Sequence, residues 1–218
     1  MVRMDPDGVR LSGFMLIIAG ISGMVFAFGE NSVWGVVAVL FCALTLFSAF
    51  FFRDPERTPP PDTDAVVSAA DGVVVDVALV PAERFDGDSA LRIAVFMNVF
   101  DVHVNRSPVD GVVRRVVHSP GKKGSAMNPR AGHENEYGDT DIETKYGIVR
   151  IRQIAGLVAR RVVTRVKEGD ILARGDRIGL IRFGSRVDVF LPVSFEPVAA
   201  RGGRVRAGES IIAKRCSS

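Results

Sequence analysis

The chain has 218 residues, of which 47% are hydrophobic, enough for a packed core in one or two domains. The formal net charge is only +3. No aromatic–basic RNA signature, zinc-ligand spacing or glycine-rich phosphate loop is present. Cys42 and Cys216 lie in an apolar run and near the C-terminus, without metal-ligand spacing. These features argue against nucleic acid as a partner and against a metal site.

Two apolar runs near the N-terminus, Leu11 to Phe28 and Val33 to Phe52, flank the turn-forming sequence Gly29-Glu30-Asn31-Ser32. Each run approaches the roughly 20 residues that a helix needs to cross a bilayer core. We therefore predict that residues 1–52 form a membrane anchor, a transmembrane hairpin of two helices over about 11–28 and 33–52.

Arginines flank this hairpin on both sides. Arg3 and Arg10 precede it, Arg53 and Arg57 follow it, and the connecting turn contains no Lys or Arg. The positive-inside tendency then places both outer ends and the soluble part on the cytoplasmic side of the cell membrane. A cleaved signal peptide is the alternative, but the acidic residues before the first run and the presence of a second run argue against it.

The remaining sequence divides into a linker and a β domain. The proline-rich stretch 53–65 is expected to be a stiff linker. Residues 66–218 carry short β-branched runs separated by Asp-Gly, Pro-Gly or single Gly turns. Only the stretch 157–166 has a weak helical pattern. The runs expected to form strands are Val66–Val67, Val73–Val77, Leu91–Met97, Val99–Val104, Val112–Val117, Ile148–Ile154 and Val187–Leu191.

Two sequence patterns recur within this domain. Residues 68–74 (SAADGVV) recur as 107–113 (SPVDGVV), and residues 169–178 share a Gly-x-x-[Leu/Val]-x-x-Gly-[Asp/Glu]-x-Ile pattern with 202–211. The second pattern resembles the turn–strand repeat of lipoyl- and biotinyl-type domains. We therefore predict a mainly β fold, a sandwich or barrel-sandwich-like soluble domain. Such a domain can be a carrier, an adaptor or an enzyme.

Four stretches carry more than turn and core signals: Ala70-Asp71-Gly72, Phe100 to Pro108, His118 to Gly121 and Phe183 to Arg186. Two further motifs, Glu134 to Glu136 and Gln153 to Gly156, lie between them. In order and approximate spacing this set resembles the phosphatidylserine decarboxylase family, most closely its short form, which includes archaetidylserine decarboxylases. The resemblance covers essentially everything after Arg53, and the ordered set is more specific than any single motif.

The resemblance implies self-cleavage at the Gly184–Ser185 bond. A glycine leaves its carbonyl open, so the serine Oγ can attack it and form an ester. Elimination of that ester and hydrolysis of the product convert Ser185 to a covalent pyruvoyl (pyruvate) cofactor. The two cleaved chains, 1–184 and 185–218, are expected to remain together as a heterodimer. The pyruvoyl ketone forms a Schiff base with a substrate amine and acts as an electron sink.

Ser185 needs a nearby base, because a serine hydroxyl is a weak nucleophile at neutral pH. The resemblance assigns Asp71 to the processing machinery, whereas its repeat counterpart Asp110 is expected to be a turn residue only. His103 is a candidate acid that protonates the carbanion after CO2 leaves. Because side chains alternate along a strand, His103 would lie on the same face as the residues two positions before and after it.

Arg106 stands where longer relatives have a second histidine. An arginine cannot act as a general base, so the role of that histidine does not transfer to this position. By its chemistry, Arg106 can instead bind the substrate carboxylate or phosphate. His118 is the natural substitute for the missing base, with His103 serving both steps as the alternative. Arg186 is expected to place a cation beside the pyruvoyl group.

The motifs and the anchor together predict a lyase of phospholipid biosynthesis that is made as a zymogen. It would decarboxylate a serine-headed phospholipid, phosphatidylserine or archaetidylserine, to the ethanolamine-headed lipid. One alternative is a non-enzymatic membrane-anchored adaptor or carrier, although a carrier needs a lysine at the hairpin tip and none lies between Asp170 and Arg201. Another is a pyruvoyl-dependent decarboxylase of a soluble amino acid. The sequence leaves the lipid tails and homo-oligomerisation open.

Overall fold

The computed structural model describes residues 2–29, 31–85, 87–122, 124–128, 130–156, 161–182 and 184–216. The chain forms two compact units, Met1–Glu56 and Arg57–Ser218. Strands account for 43% of the residues and helices for 24%. The prediction of a mainly β protein preceded by two apolar helices is therefore confirmed.

The first unit is a helical hairpin closed by a short pair of strands. Helix α1 spans Pro6–Phe28 and α2 spans Ser32–Phe51, while β1 (Val2–Met4) pairs antiparallel with β2 (Arg53–Pro55). The first helix begins before its apolar run, because the Asp5 carboxylate accepts a hydrogen bond from the Asp7 N–H at 2.9 Å and proline occupies the first helical position.

Both helices are long and apolar enough to cross a membrane. Their most apolar 18-residue segments have a mean hydropathy of 2.1 and 2.3, and only 11% and 6% of these segments are buried within the chain. The hydroxyl of Ser12 donates to that of Ser48 at 2.9 Å, which links the two helices through a polar contact. Uncovered apolar helices of this length indicate association with a membrane.

The second unit contains fourteen strands and one short helix among its described residues. Its strands pair antiparallel throughout the described ladders. The elements are β3 (Ala65–Val67), β4 (Gly72–Phe85), β5 (Gly87–Met97), β6 (Val104–Arg106), β7 (Gly111–Ser119), α3 (Ala131–Glu134), β8 (Tyr137–Thr144), β9 (Gly147–Ala155), β10 (Val162–Thr164), β11 (Ile171–Leu172), β12 (Arg177–Ile181), β13 (Ser185–Leu191), β14 (Phe195–Pro197), β15 (Arg204–Val205) and β16 (Ile211–Arg215).

One large sheet dominates this unit. Its eight strands run in the order β11-β7-β8-β9-β13-β5-β4-β15, and the sheet curls into a half-barrel. Two three-stranded sheets, β10-β12-β6 and β14-β16-β3, accompany it. Strand β13 lies near the middle of the large sheet, and its alternate residues Val187 and Val189 are fully buried in the hydrophobic core. A strand in this position is held by ladders on both edges.

The two sequence repeats form matching local structures. Ser68 and Ser107, the first residues of their motifs, each donate a side-chain hydrogen bond to the carbonyl two residues ahead, at 2.6 and 2.7 Å. Gly169 and Gly202 each donate their N–H to the last residue of one serine motif, at 2.8 Å in both cases. The repeats therefore reflect real internal similarity in the fold.

Two local predictions differ from the structure. The run 99–104 forms a turn before β6, because the Asn98 side chain accepts the Phe100 N–H at 2.8 Å and the Asp101 carboxylate accepts the Asn98 N–H at 2.9 Å. Such side-chain hydrogen bonds compete with a strand ladder. In the stretch with the weak helical pattern, β10 is extended, and residues 157–160 lie outside the described residues.

Arg174 of the β domain binds the backbone of the proline-rich segment. The Arg174 guanidinium donates to the carbonyls of Pro60 and Ala65 at 2.8 and 2.7 Å, and also to that of Asp62. Three backbone carbonyls on one side chain fix the end of this segment where it enters β3.

Candidate active site

The Gly184–Ser185 peptide lies where β13 begins. Ser185 is opposite Met97 on β5 and Ala155 on β9. Gly184 has φ +55, a left-handed conformation that a residue with a Cβ adopts at a cost of about 1–2 kcal/mol. The backbone geometry therefore favours glycine immediately before the serine, and the ladders on both sides hold the peptide in place.

The side chain of Ser185 is fully buried, and its Oγ has no hydrogen-bond partner among the described residues. Leaving a buried hydroxyl without a partner costs about 1–3 kcal/mol. Native proteins keep few such groups, and each exception calls for a reason. A hydroxyl that no other group holds is available to attack the carbonyl that precedes it.

Arg186 does not share the face of Ser185. Successive side chains of a strand point to opposite faces, and the Arg186 guanidinium donates to both carboxylate oxygens of Asp188, at 2.7 and 2.8 Å. It also donates to the carbonyls of Ala126 and Asn128. The expectation that Arg186 supplies a cation beside the reactive serine therefore does not agree with the structure.

The neighbouring arginines on that opposite face are also ion-paired. Arg150 donates to both carboxylate oxygens of Asp141, at 2.5 and 2.8 Å, and these bonds raise its pKa. Burial alone would lower the pKa of Arg152, but its two 2.7 Å hydrogen bonds to Asp139 raise it. These arginines therefore belong to a row of ion pairs across the sheet, which indicates a structural role.

His103 is almost completely buried, with 2% of its surface exposed. Its Nδ1 lies 3.0 Å from the carbonyl oxygen of Asp101. Because a carbonyl oxygen can only accept, Nδ1 carries the hydrogen in the neutral imidazole and Nε2 carries the lone pair. The backbone carbonyl of His103 also accepts from the Ile181 N–H at 3.4 Å. The residue is thus tied to β12, the strand that leads towards Gly184.

A chain of buried polar side chains runs beside Ser185. The Thr164 hydroxyl donates to Gln153 at 3.0 Å, Gln153 donates to Asn105 at 2.8 Å, and Asn105 donates to the sulfur of Met97 at 3.6 Å. Asn105 and Gln153 are fully buried. Sequence reasoning assigned no role to this chain, because its members are far apart in sequence and only Asn105 and Gln153 fall in the ordered motifs.

Asp71 is held as a buried ion pair. One carboxylate oxygen accepts from Arg57 at 2.9 Å and the other from the backbone N–H of Ala207 at 2.7 Å. Arg57 also binds Glu209 at 2.7 Å. Strand β5 lies between β4, which follows Asp71, and β13. The counterpart Asp110 is exposed and accepts the Arg174 N–H, the pattern expected of a turn residue.

Arg106 is buried near the same turn as Asp71. Its Nη1 donates to the carbonyl of Gly175 at 2.8 Å, and its backbone N–H donates to Ala69 at 2.9 Å. A Cβ built on Gly208 would lie 3.1 Å from the Cδ of Arg106 and 3.5 Å from the Cβ of Arg57. The structure therefore brings Asp71 and Arg106 together around residues 207–208.

His118 lies apart from these residues. It is on β7, its side chain is 54% exposed, and its Nε2 is 3.6 Å from the carboxylate of Glu136. Strands β8 and β9 separate β7 from β13, and three strand spacings correspond to about 14 Å. The structure does not bring His118 beside Ser185.

Comparison with known proteins shows the family of this chain. The family model described as phosphatidylserine decarboxylase matches residues 44–213, a span that contains every candidate site residue. The fold and this match together define a carboxy-lyase. The chain belongs to the phosphatidylserine decarboxylase family, as the ordered motifs predicted.

Relatives match over most of their length. The phosphatidylserine decarboxylase proenzyme of Nitratidesulfovibrio vulgaris is 48% identical over 215 residues, which cover 98% of this chain and 95% of that protein. The proenzyme of Oleidesulfovibrio alaskensis is 45% identical over 96% of this chain and 93% of its own. That of Pelobacter propionicus is 47% identical over 81% of this chain and 80% of its own.

Proposed function

We propose that this chain is made as an inactive proenzyme, cleaves itself between Gly184 and Ser185, and then decarboxylates phosphatidylserine. The observation that carries the proposal is the buried Ser185 Oγ without a partner among the described residues, directly after a left-handed glycine. The relatives named above are proenzymes, and a proenzyme implies processing of the chain.

The proposed cleavage needs only groups of the chain and one water. The Ser185 Oγ adds to the carbonyl carbon of Gly184, the peptide C–N bond breaks, and the Ser185 nitrogen takes a proton. Loss of the serine α-proton then expels the Gly184 carboxylate from the resulting ester. Water replaces the nitrogen, ammonia leaves, and residue 185 becomes a pyruvoyl group. Its ketone supplies an electron sink for the carbanion left by departing CO2.

His103 is our proposed base and acid in these steps. The hydrogen bond from Nδ1 to the Asp101 carbonyl leaves the lone pair on Nε2. Nε2 can then take the Ser185 proton during cleavage and hold a proton for the substrate carbon afterwards. The sequence made His118 the natural base and His103 the alternative, but the exposed position of His118, three strands from Ser185, favours His103.

Asp71 and Arg106 are proposed to contribute through their charges, Asp71 by holding the processing machinery in place and Arg106 by binding the substrate. Asp71 and Arg57 form a buried ion pair, which fits a role in holding the processing machinery rather than in accepting the Ser185 proton. Arg106 is proposed to contact the anionic headgroup of the lipid. Its burial beside Asp71 supports a preorganised position for the guanidinium.

The two apolar helices are proposed to anchor the enzyme in the cell membrane with its β domain on the cytoplasmic side. The arginines that flank the hairpin support this orientation. After cleavage, the chains 1–184 and 185–218 are proposed to stay together, because β13 is paired on both sides with strands of the longer chain.

A lipid assay tests the proposed substrate. Purified protein in detergent micelles is offered phosphatidylserine, archaetidylserine or free serine, and released CO2 is measured, with Ser185→Ala as the matched control. We expect turnover of phosphatidylserine, none of free serine, and none by the control. Turnover of free serine without lipid turnover would contradict the proposal. Equal turnover of both lipids would show that the headgroup alone is recognised.

A further inference from the structure

Gly156 makes a close contact with the carbonyl of the proposed cleavage site. A Cβ built on Gly156 would lie 1.9 Å from the Gly184 oxygen and 3.0 Å from the Gly184 carbonyl carbon. The oxygen is therefore within about 3.4 Å of the Gly156 Cα, the range of a Cα–H···O contact. A side chain of any size at position 156 would overlap the peptide that is to be cut.

The crowding cannot be relieved by turning a side chain. The atoms in the way belong to the Gly184 backbone, and Ser185 is fixed to Met97 and Ala155 on either side. The third neighbour of the built Cβ is the Cβ of Ala126, at 3.4 Å. A methyl group at residue 156 must therefore move the scissile carbonyl or the end of β9. By contrast, a Cβ built on Gly184 would meet no atom within 4 Å among the described residues other than its chain neighbours.

We propose that Gly156 is a positioning residue for self-cleavage: it lets the Gly184 carbonyl lie where the Ser185 Oγ can attack it. The proposal rests on the proposed cleavage at this bond. During attack, the Oγ–C bond forms and negative charge develops on the Gly184 oxygen, the atom that lies against the Gly156 Cα. A misplacement of about 1 Å between reacting atoms can slow a reaction about 100-fold.

The role is specific to cleavage. Once the bond is cut, Gly184 is the C-terminal carboxylate of the longer chain and is no longer joined to residue 185. It can then move away from position 156 without moving the pyruvoyl group. A methyl group at residue 156 should therefore slow the formation of the active enzyme while leaving the turnover of each processed molecule unchanged.

The experiment follows cleavage of full-length Gly156→Ala in detergent by denaturing gel, with Gly203→Ala as the matched control. Gly203 also has a backbone oxygen close to its built Cβ, that of Ala200 at 3.0 Å, but it lies near β15. We expect Gly156→Ala to be cleaved about 100-fold more slowly than the wild type and the control to be cleaved at the wild-type rate. Decarboxylation per processed chain should be the same in all three proteins.

Hydroxylamine distinguishes the step that is slowed, because it cuts an ester but not a peptide bond under mild conditions. If attack is impaired, uncut Gly156→Ala contains no ester and hydroxylamine does not accelerate its cleavage. Accumulation of a hydroxylamine-sensitive ester would overturn the proposal, as would cleavage at the wild-type rate or an equal loss of turnover per processed chain.

Two further outcomes are decisive. Thermal unfolding is compared for Ser185→Ala and for Ser185→Ala combined with Gly156→Ala, both of which stay uncut. Loss of the folded state in the double variant would make Gly156 a structural residue and overturn the proposal. If the wild-type chain itself is never cut at Gly184, the proposed function fails. If the wild-type chain is cut and Gly156→Ala is cut at the same rate, only the proposal for Gly156 fails.

Discussion

Ser185 lies directly opposite Met97 in the ladder between β13 and β5, and the sulfur of Met97 accepts a hydrogen bond from the Asn105 amide at 3.6 Å. A thioether is a weak acceptor for an amide. The polar chain from Thr164 through Gln153 and Asn105 therefore ends on a weak acceptor, in the strand next to Ser185. This places a strong amide donor in the buried surroundings of the site.

Removing the Asn105 amide should destabilise the fold. In Asn105→Ala the buried Gln153 amide loses its acceptor, and such a loss costs about 1–3 kcal/mol in the free energy of unfolding. The comparison is made by urea unfolding in the Ser185→Ala background, so that every molecule is uncut. Asn128→Ala, at an exposed position, is the control, and an equally small effect of both substitutions would contradict the account.

The two histidines should behave differently. We expect His103→Ala to slow both cleavage and decarboxylation by about 10²–10⁴-fold, the usual contribution of a general acid or base. His118→Ala should change either rate by no more than about twofold, because a group so far from Ser185 is outside hydrogen-bond reach. Gel densitometry and CO2 release measure the two rates. A larger loss in His118→Ala than in His103→Ala would reverse the assignment.

The Asp71–Arg57 pair should contribute more to stability than an exposed pair. Asp71→Asn removes one of the two carboxylates that bind the Arg57 guanidinium, whose side chain is 9% exposed, and leaves only Glu209 as its anionic partner. Breaking a buried pair in this way costs about 3 kcal/mol in the free energy of unfolding. Glu143→Gln breaks the exposed pair with Arg114 and should cost less than about 1 kcal/mol. Equal losses, measured in the Ser185→Ala background, would contradict a buried structural pair.

Asp62 gives a prediction for acid stability. Its hydrogen bond with Lys214, at 2.8 Å, lowers the pKa of its carboxyl. In the unfolded chain the Asp62 carboxyl has a pKa near 3.9. As the pH falls, the unfolded chain is therefore protonated at a higher pH than the folded chain. The stabilising contribution is therefore present above about pH 4 and is lost as the pH falls through the lower pKa of the folded state.

Carboxyl NMR titration of Lys214→Gln tests this sign. The pKa of Asp62 should rise towards its ordinary value in that variant, and it should stay low in Lys122→Gln, whose ion pair with Glu134 lies elsewhere. A pKa for Asp62 that is unchanged by Lys214→Gln would show that another group lowers it.

Local patterns predicted much of the fold and the family of the protein. The β-branched runs and glycine turns indicated strands, the apolar runs indicated helices, and the ordered motifs indicated the family. The buried Asp71 and exposed Asp110 also differ as expected from their motifs. Alternation along β13 already puts Arg186 on the face opposite Ser185, so its ion pair with Asp188 could have been anticipated.

What the sequence could not provide is the order of strands in the sheet. The ordered motif predicts His118 as a base, but the hairpin of β8 and β9 is inserted between its strand and β13. The Arg57 partner of Asp71 comes from the proline-rich segment, where nothing local marks it as part of a site. The contact of Gly156 with Gly184 likewise depends on two strands that meet only in the folded chain.

The most direct test of the account is the intact mass of the purified protein under denaturing conditions. We expect two chains, residues 1–184 and 185–218, with the shorter one lighter by one ammonia than the same chain beginning with serine. Ser185→Ala should give a single uncut chain. A stable wild-type chain of 218 residues, without a keto group, would contradict self-cleavage at Ser185.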